Sequence, residues 1–300
     1  MRVIRPITVT DSVLTSSNVA ETDYSAWVSG TTYTKGARVI IVAANVHQVY
    51  ESLQNANSAN DPTLTASATW WVLVGATNKW KMFDNSNTSQ TTNTSSIAAT
   101  LVTTTRADSI AFMNISTSTV RVKMTTVDGI VYDTTTNMNI SLGVVDWYTY
   151  LFEPITRRSD FVVEGLPAYN SATFNITLTD TGNTVAIGTC VIGFMKNFGD
   201  SQYGAKVGIQ DYSIKTKDAY GNYSITQRAF NKRADLTIYL PSGNVDSMQN
   251  ILSTYRSIPM VYIASTDYTS LILYGFYKDF SIDISYPTYS VATVQLEALT

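Results

Sequence analysis

Over most of the chain beyond residue 100, apolar and polar positions alternate with a period of two. The alternation is clearest at 109–115, 120–124, 161–164, 173–178 and 185–194. Successive side chains of a strand point to opposite faces, so these segments predict half-buried strands. The turn signals Asp128-Gly129 and Thr181-Gly182-Asn183 lie between them and predict an antiparallel β-sandwich of jelly-roll type over residues 79–200, with its first strand at 79–84. A different period governs one later stretch. Val245, Met248, Ile251, Leu252 and Tyr255 recur at helical spacing, Ser242 or Asn244 stands where a cap belongs, and Pro259 follows, which predicts one helix over about 244–257. Strands are predicted around it at 211–217, 234–240, 260–265, 270–277, 280–285 and 289–297, so residues 201–300 read as an α+β domain with one helix on an antiparallel sheet. Residues 1–23 carry Val3, Ile4 and Ile7 and then a Thr/Ser/Asn-rich stretch without periodicity, and they read as an N-terminal arm.

Residues 24–78 break this pattern with short strands, frequent Gly, Asn and Pro, and a concentration of aromatics. Trp27, Trp70 and Trp71 are three of the chain's 5 tryptophans, and Tyr24, Tyr33 and Tyr50 accompany them. The order is Trp27; Gly30, Tyr33 and Gly36; a Val-rich strand at 37–42; Val49-Tyr50; Asn55; Asn60-Asp61-Pro62; and a closing Trp70-Trp71 before Gly75. This stretch resembles the small chitin- and cellulose-binding modules appended to bacterial chitinases, over about one sixth of the chain. The resemblance implies a carbohydrate-binding-type β module with Trp27 and Tyr50 in its core.

Sugar rings present apolar C–H faces rimmed by hydroxyls, so a flat aromatic beside amide or carboxylate groups suits them. Trp27, Tyr33, Trp70 and Trp71 are the candidate platform, with Asn60, Asp61 and Glu51 as polar partners. A module this small has little else to build a core from, so the same rings serve equally as its filling. Strand alternation sends one of the adjacent Trp70 and Trp71 inward and the other outward.

Composition narrows the function. Hydrophobic residues make up 44% and charged residues only 14% of the chain, so neutral Thr, Ser and Asn supply the surface polarity. A net charge of -3 without basic clusters beyond Arg157-Arg158 and Lys232-Arg233 offers nothing to nucleic acid. The longest apolar runs fall far short of the roughly 20 residues of a membrane helix. Residues 9–17 are polar where a signal peptide would be apolar, so the expected site of synthesis and residence is the cytoplasm. The single Cys190 lies among Val191, Ile192 and Gly193 and reads as a buried strand position.

Candidate catalysis is thin. The one histidine, His47, reads as a turn or strand-surface residue, and no Gly-x-Ser-x-Gly or phosphate-binding glycine motif occurs. Glu153, Asp160 and Glu164 are the best carboxylates for glycoside hydrolysis, yet Glu153 before Pro154 and Glu164 before Gly165 read as ordinary strand ends. Asp133, Asp180, Asp211 and Asp218 lack calcium-loop spacing and read as solvated. The expectation is a protein that is not an enzyme and uses no cofactor or metal.

A Ser/Thr/Asn/Tyr-rich β composition and a chitinase-type module joined to β-sandwiches resemble virion proteins of tailed bacteriophages. The resemblance implies a structural component of the tail (tip, baseplate, collar or fibre adaptor). Its partners would be other virion proteins, further copies of itself in trimeric or sixfold symmetry, and host-surface glycans. The C-terminal domain is then expected to anchor the chain, with the module facing outward or bracing a neighbour. The alternative is a glycan-binding, lectin-like receptor-binding protein in which Trp70 or Trp71 does the work. The 19 tyrosines independently favour interfaces, where amphipathic rings are enriched.

Overall fold

The computed structural model describes residues 1–140, 146–152 and 156–299. First come β1 (Arg2–Pro6) and β2 (Leu14–Ser17), then the module strands β3 (Arg38–Ala43), β4 (Val46–Ser52) and β5 (Trp71–Ala76). The middle of the chain carries β6 (Thr91–Thr103), β7 (Ser109–Ser116), β8 (Thr119–Thr126), β9 (Gly129–Asn137), β10 (Asn139–Ile140), helix α1 (Trp147–Phe152), β11 (Thr156–Arg157), β12 (Phe161–Val163) and β13 (Ala172–Asn197). The remainder holds β14 (Asp200–Ser201), β15 (Lys206–Asp211), β16 (Ile214–Lys217), β17 (Tyr223–Thr226), β18 (Phe230–Pro241), helix α2 (Val245–Thr254), β19 (Met260–Ile263), β20 (Ile272–Asp283) and β21 (Tyr289–Ala298). The protein is mainly β, as the alternation requires, and its strand pairings are antiparallel apart from one isolated bridge. No helix among the described residues is long and apolar enough to cross a membrane.

The sandwich is organised by β13. In place of the two strands expected at 173–178 and 185–194 with a turn between them, one 26-residue strand is found. The Thr181-Gly182-Asn183 signal is a bulge: the register on β6 shifts between Thr179 and Thr184, and Gly182 takes φ +81°, which bends a strand without reversing it. The first half of β13 lies between β6 and β8, while its second half pairs with β7 and then β1. Leu101, Ile110, Phe112, Val122, Met124, Phe174 and Ile187 fill the space between these layers. Asp128-Gly129 does make the tight β8–β9 hairpin, with Gly129 at φ +98°. Cys190 is buried here, and desolvation pushes its thiol up to about 12.

Residues 1–23 do not stand apart as an arm. Strand β1 lies between β13 and β19 and makes one 14-stranded sheet of the sandwich and the C-terminal domain. Val3 enters the C-terminal core with Leu236, Met248, Tyr262 and Val294, and its neighbour Ile4 enters a junction core with Met113, Val191, Val261 and Tyr274. With both faces covered, the strand is apolar on both. Gly193 permits the close approach, since a Cβ there would collide with the Arg5 carbonyl oxygen.

The C-terminal sheet runs β1-β19-β20-β21-β18-β14, and α2 seats Met248 and Leu252 on it. The expected caps have other partners. Asn244 donates to the Phe198 carbonyl and Ser242 to that of Pro287, and a 3-10 turn leads into the helix. The strands expected at 270–277 and 280–285 are one strand, β20, bulged between Tyr277 and Asp279. The strand expected at 79–84 is instead a 3-10 turn, because Trp80 and Met82 both bury against the sandwich core.

Candidate functional site

The module is a three-stranded sheet, β3-β4-β5, around Val39, Tyr50 and Trp71, with Trp27, Tyr33 and Trp70 packed against that cluster. Alternation divides the tryptophan pair as expected. Trp71 is 4% exposed, and Trp70 is only half-buried. The Trp71 indole donates to the Asn60 carbonyl at 2.9 Å, and its ring meets Tyr33 edge-on at 5.2 Å. The Tyr33 hydroxyl accepts from the Val28 amide at 2.8 Å.

The polar candidates are similarly engaged within the module. Asn60 donates to the side chain of the fully buried Asn57, and Asp61 accepts from the amide and hydroxyl of Thr63 at 2.8 and 2.7 Å. Glu51 accepts from Arg38 at 2.7 Å. Tyr50 is in the core as expected; Trp27 is half-buried, with an indole N–H that is enclosed and has no hydrogen-bond partner among the described residues. Of the four candidate rings, Trp71 is therefore part of the module's small core and Trp27, Tyr33 and Trp70 pack against it half-buried, while Asn60, Asp61 and Glu51 are half-buried and hydrogen-bonded to neighbours within the module.

His47 departs most from the expectation of a turn or surface residue. It lies in β4 with its side chain 11% exposed, stacked on Trp80 at 4.3 Å and 19°. Its Nε2 meets Asp11 at 2.7 Å and its Nδ1 meets Glu21 at 2.8 Å. Both contacts are hydrogen bonds at once only when both ring nitrogens carry hydrogen. The Asn45 backbone amide, and after it the His47 ring, hold the Asp11 carboxyl below its usual range despite some desolvation. Glu21 also accepts from Thr77 at 2.7 Å and pairs with Lys79 at 3.5 Å. The chain entering the module, the chain leaving it and the module sheet are thereby clamped together. Periodicity could not reveal this, since the acids lie 36 and 26 residues upstream in an aperiodic stretch. We expect His47→Ala to remove about 1.5–3 kcal/mol of this docking, read as at least tenfold faster protease cleavage near residues 76–80 with the sandwich intact.

Beside the clamp, a groove of about 450 Å³ separates module and sandwich, lined by Asp23, Tyr24, Arg38, Asn78, Lys81 and Thr92 among others. A second cavity, of about 400 Å³, lies where the sandwich meets the C-terminal domain and includes Asp160, Lys232, Phe230 and Tyr274. Two of the three candidate hydrolytic carboxylates have ion-pair partners: Asp160 with Lys232, and Glu164 with Arg2. Glu153 lies outside the described residues. Asp133 pairs with Arg121 on β9, Asp180 is buried against Arg157 at the β13 bulge, Asp211 pairs with Lys215, and Asp218 caps its own turn. No group of three or more metal-ligating side chains occurs among the described residues. No protein-family model, curated protein or solved structure matches the chain.

Proposed function

We propose that the chain is a structural subunit of a bacteriophage tail that assembles with further copies of itself and with other virion proteins. The observation that carries this reading is helix α1. Trp147, Tyr148, Tyr150, Leu151 and Phe152 are 64–80% exposed on a six-residue helix, while Asp146 and Thr149 hold its first turn by local hydrogen bonds. Exposed apolar surface of this density marks a contact with another molecule. Val72, Leu73 and Val74 on β5, and Tyr220, Tyr223 and Ile225 in or beside the β16–β17 hairpin, add further exposed apolar positions outside the cores. The phage assignment itself rests on the resemblance of residues 24–75 and of the composition.

Light scattering of the purified chain, alone and co-expressed with its genomic neighbours, tests the reading. The expected result is a defined trimer, hexamer or larger complex that is lost in Trp147→Ser/Phe152→Ser with little change in melting temperature. A stable monomer that binds polysaccharide overturns it in favour of the lectin reading. That second reading draws on Trp70 and on the Tyr24–Arg38 groove, where an aromatic ring stands beside hydrogen-bonding groups.

A further inference from the structure

The cavity of about 400 Å³ between sandwich and C-terminal domain is lined by three charged side chains, Asp160, Arg228 and Lys232. That is two cations against one anion, in a chain whose net charge is -3. Small-molecule sites run to roughly 300–1,000 Å³ and favour domain junctions. One wall is apolar, formed by Tyr274 and its neighbours of the junction core, and amide and hydroxyl side chains line much of the remainder. The polar wall is built on an irregularity of the backbone. Asn114 lies inside strand β7 and yet takes φ +52°, in the left-handed region. Both its backbone groups turn to side chains: the N–H donates to Asp160 at 3.0 Å, and the carbonyl accepts from Gln90 at 2.9 Å. The register of β7 on β13 skips at this point, opposite Gly188, where a Cβ would collide with Asn87 and Asn114. Backbone outliers of this kind cluster at binding and catalytic sites.

The Asp160 carboxylate, fixed by the Asn114 amide, in turn holds the Lys232 ammonium. An ammonium has three donors, so two remain for the cavity. Fastening of the two domains accounts for Asp160 and Lys232, but it leaves Arg228 and Phe230 without a role. Arg228 is exposed and makes no ion pair among the described residues. Phe230 is 52% exposed although it opens strand β18, and it shares a strand face with Lys232 two positions on. The cavity therefore offers an unpaired guanidinium, a positioned ammonium and an open aromatic ring.

We propose that this cavity binds a sugar acid, with the carboxylate between Arg228 and Lys232 and a C–H face of the ring on Phe230. The planar fork of a guanidinium matches a carboxylate in shape as well as charge. One uncompensated positive charge fits a ligand with one negative charge, the phenyl ring fits an apolar face, and the surrounding amides and hydroxyls fit a rim of hydroxyl groups. The site lies outside residues 24–78. It therefore stands independently of the module's aromatics and of the subunit reading.

The test is titration of the full chain with sodium D-glucuronate and with N-acetylneuraminate, followed by saturation-transfer NMR and calorimetry. D-glucose serves as the uncharged control and benzoate as the carboxylate without hydroxyls. At least one of the two acids is expected to bind, about tenfold or more tightly than either control. Arg228→Gln is expected to weaken that binding about tenfold, the loss of one charge-assisted hydrogen bond, with the melting temperature and the oligomeric state unchanged. Phe230→Ser is expected to weaken it as well, and Trp70→Ala, in the module, to leave it as it was. Absence of binding by both acids, binding untouched by Arg228→Gln, or binding lost in Trp70→Ala overturns the site. Glucose or benzoate bound as tightly as the acids overturns the ligand class. Because Arg228→Gln is read by binding and the subunit reading by oligomeric state, either can fail without the other.

Discussion

Trp71→Ala is expected to unfold the module of residues 24–78 while the sandwich and C-terminal sheet keep their structure. Replacing a buried aromatic by alanine costs about 3–5 kcal/mol through lost transfer energy and the cavity left behind. Here the loss includes the edge contact with Tyr33 and leaves the Asn60 carbonyl without its indole donor. The module's buried hydrophobic cluster is Val39, Tyr50 and Trp71, so one of its three members disappears. The remaining domains share no buried hydrophobic cluster with it, and their melting transition should move little. Differential scanning calorimetry combined with limited proteolysis checks this, the expected result being early digestion of residues 24–78 from an otherwise protected chain. Trp70→Ala, at a half-buried ring, is expected to leave the module folded. Glycan binding lost in Trp70→Ala with the fold intact would favour the lectin reading; binding lost only in Trp71→Ala would report unfolding. A module that resists proteolysis with Trp71→Ala would show that the aromatics are not its core.

The contrast between these two tryptophans is legible in the sequence, because strand alternation assigns neighbours to opposite faces. The half-buried strands are legible for the same reason, and α2 through the spacing of Met248 and Leu252. Chain continuity is not. Gly182 signals a change of direction, but a bulge and a hairpin use the same residue, and only the pairing of both halves of β13 with β6 separates them. Val3 and Ile4 look like a short apolar start to a polar arm, since a strand covered on both faces has no alternation to display. Trp80 and Met82 share the two-residue spacing of a strand, yet a tight turn against the core buries both. The candidate site is legible as a set of residue types and misleading as a surface. In a three-stranded module the rings that would stack on sugar are the ones available to exclude water. The role of His47 is out of reach of periodicity, since it depends on two carboxylates brought close by the fold.

Lys232→Ala is expected to destabilise the join between sandwich and C-terminal domain by about 1.5–3 kcal/mol, below the range for a fully buried pair because Asp160 is buried while Lys232 is half-buried. Asp160 has its side chain 2% exposed and accepts from the Asn114 amide at 3.0 Å and from Ser159 at 3.1 Å, so two hydrogen bonds survive the substitution. The charge does not keep its counter-ion, and the ion pair spans from the segment before β12 to β18, whereas the surviving bonds stay within the sandwich. Replacing both members, as Asp160→Asn/Lys232→Met, removes the charge and keeps an aliphatic stem in the cavity of about 400 Å³, so most of the stability should return. Denaturant melts of the two single variants and the double variant close the cycle. A coupling near zero would mean that β1 and the junction core around Ile4, Met113, Val261 and Tyr274 hold the two halves together without it; a coupling of about 2 kcal/mol or more would make the Asp160–Lys232 pair a further fastening, built on a carboxylate whose residue type alone suggests catalysis.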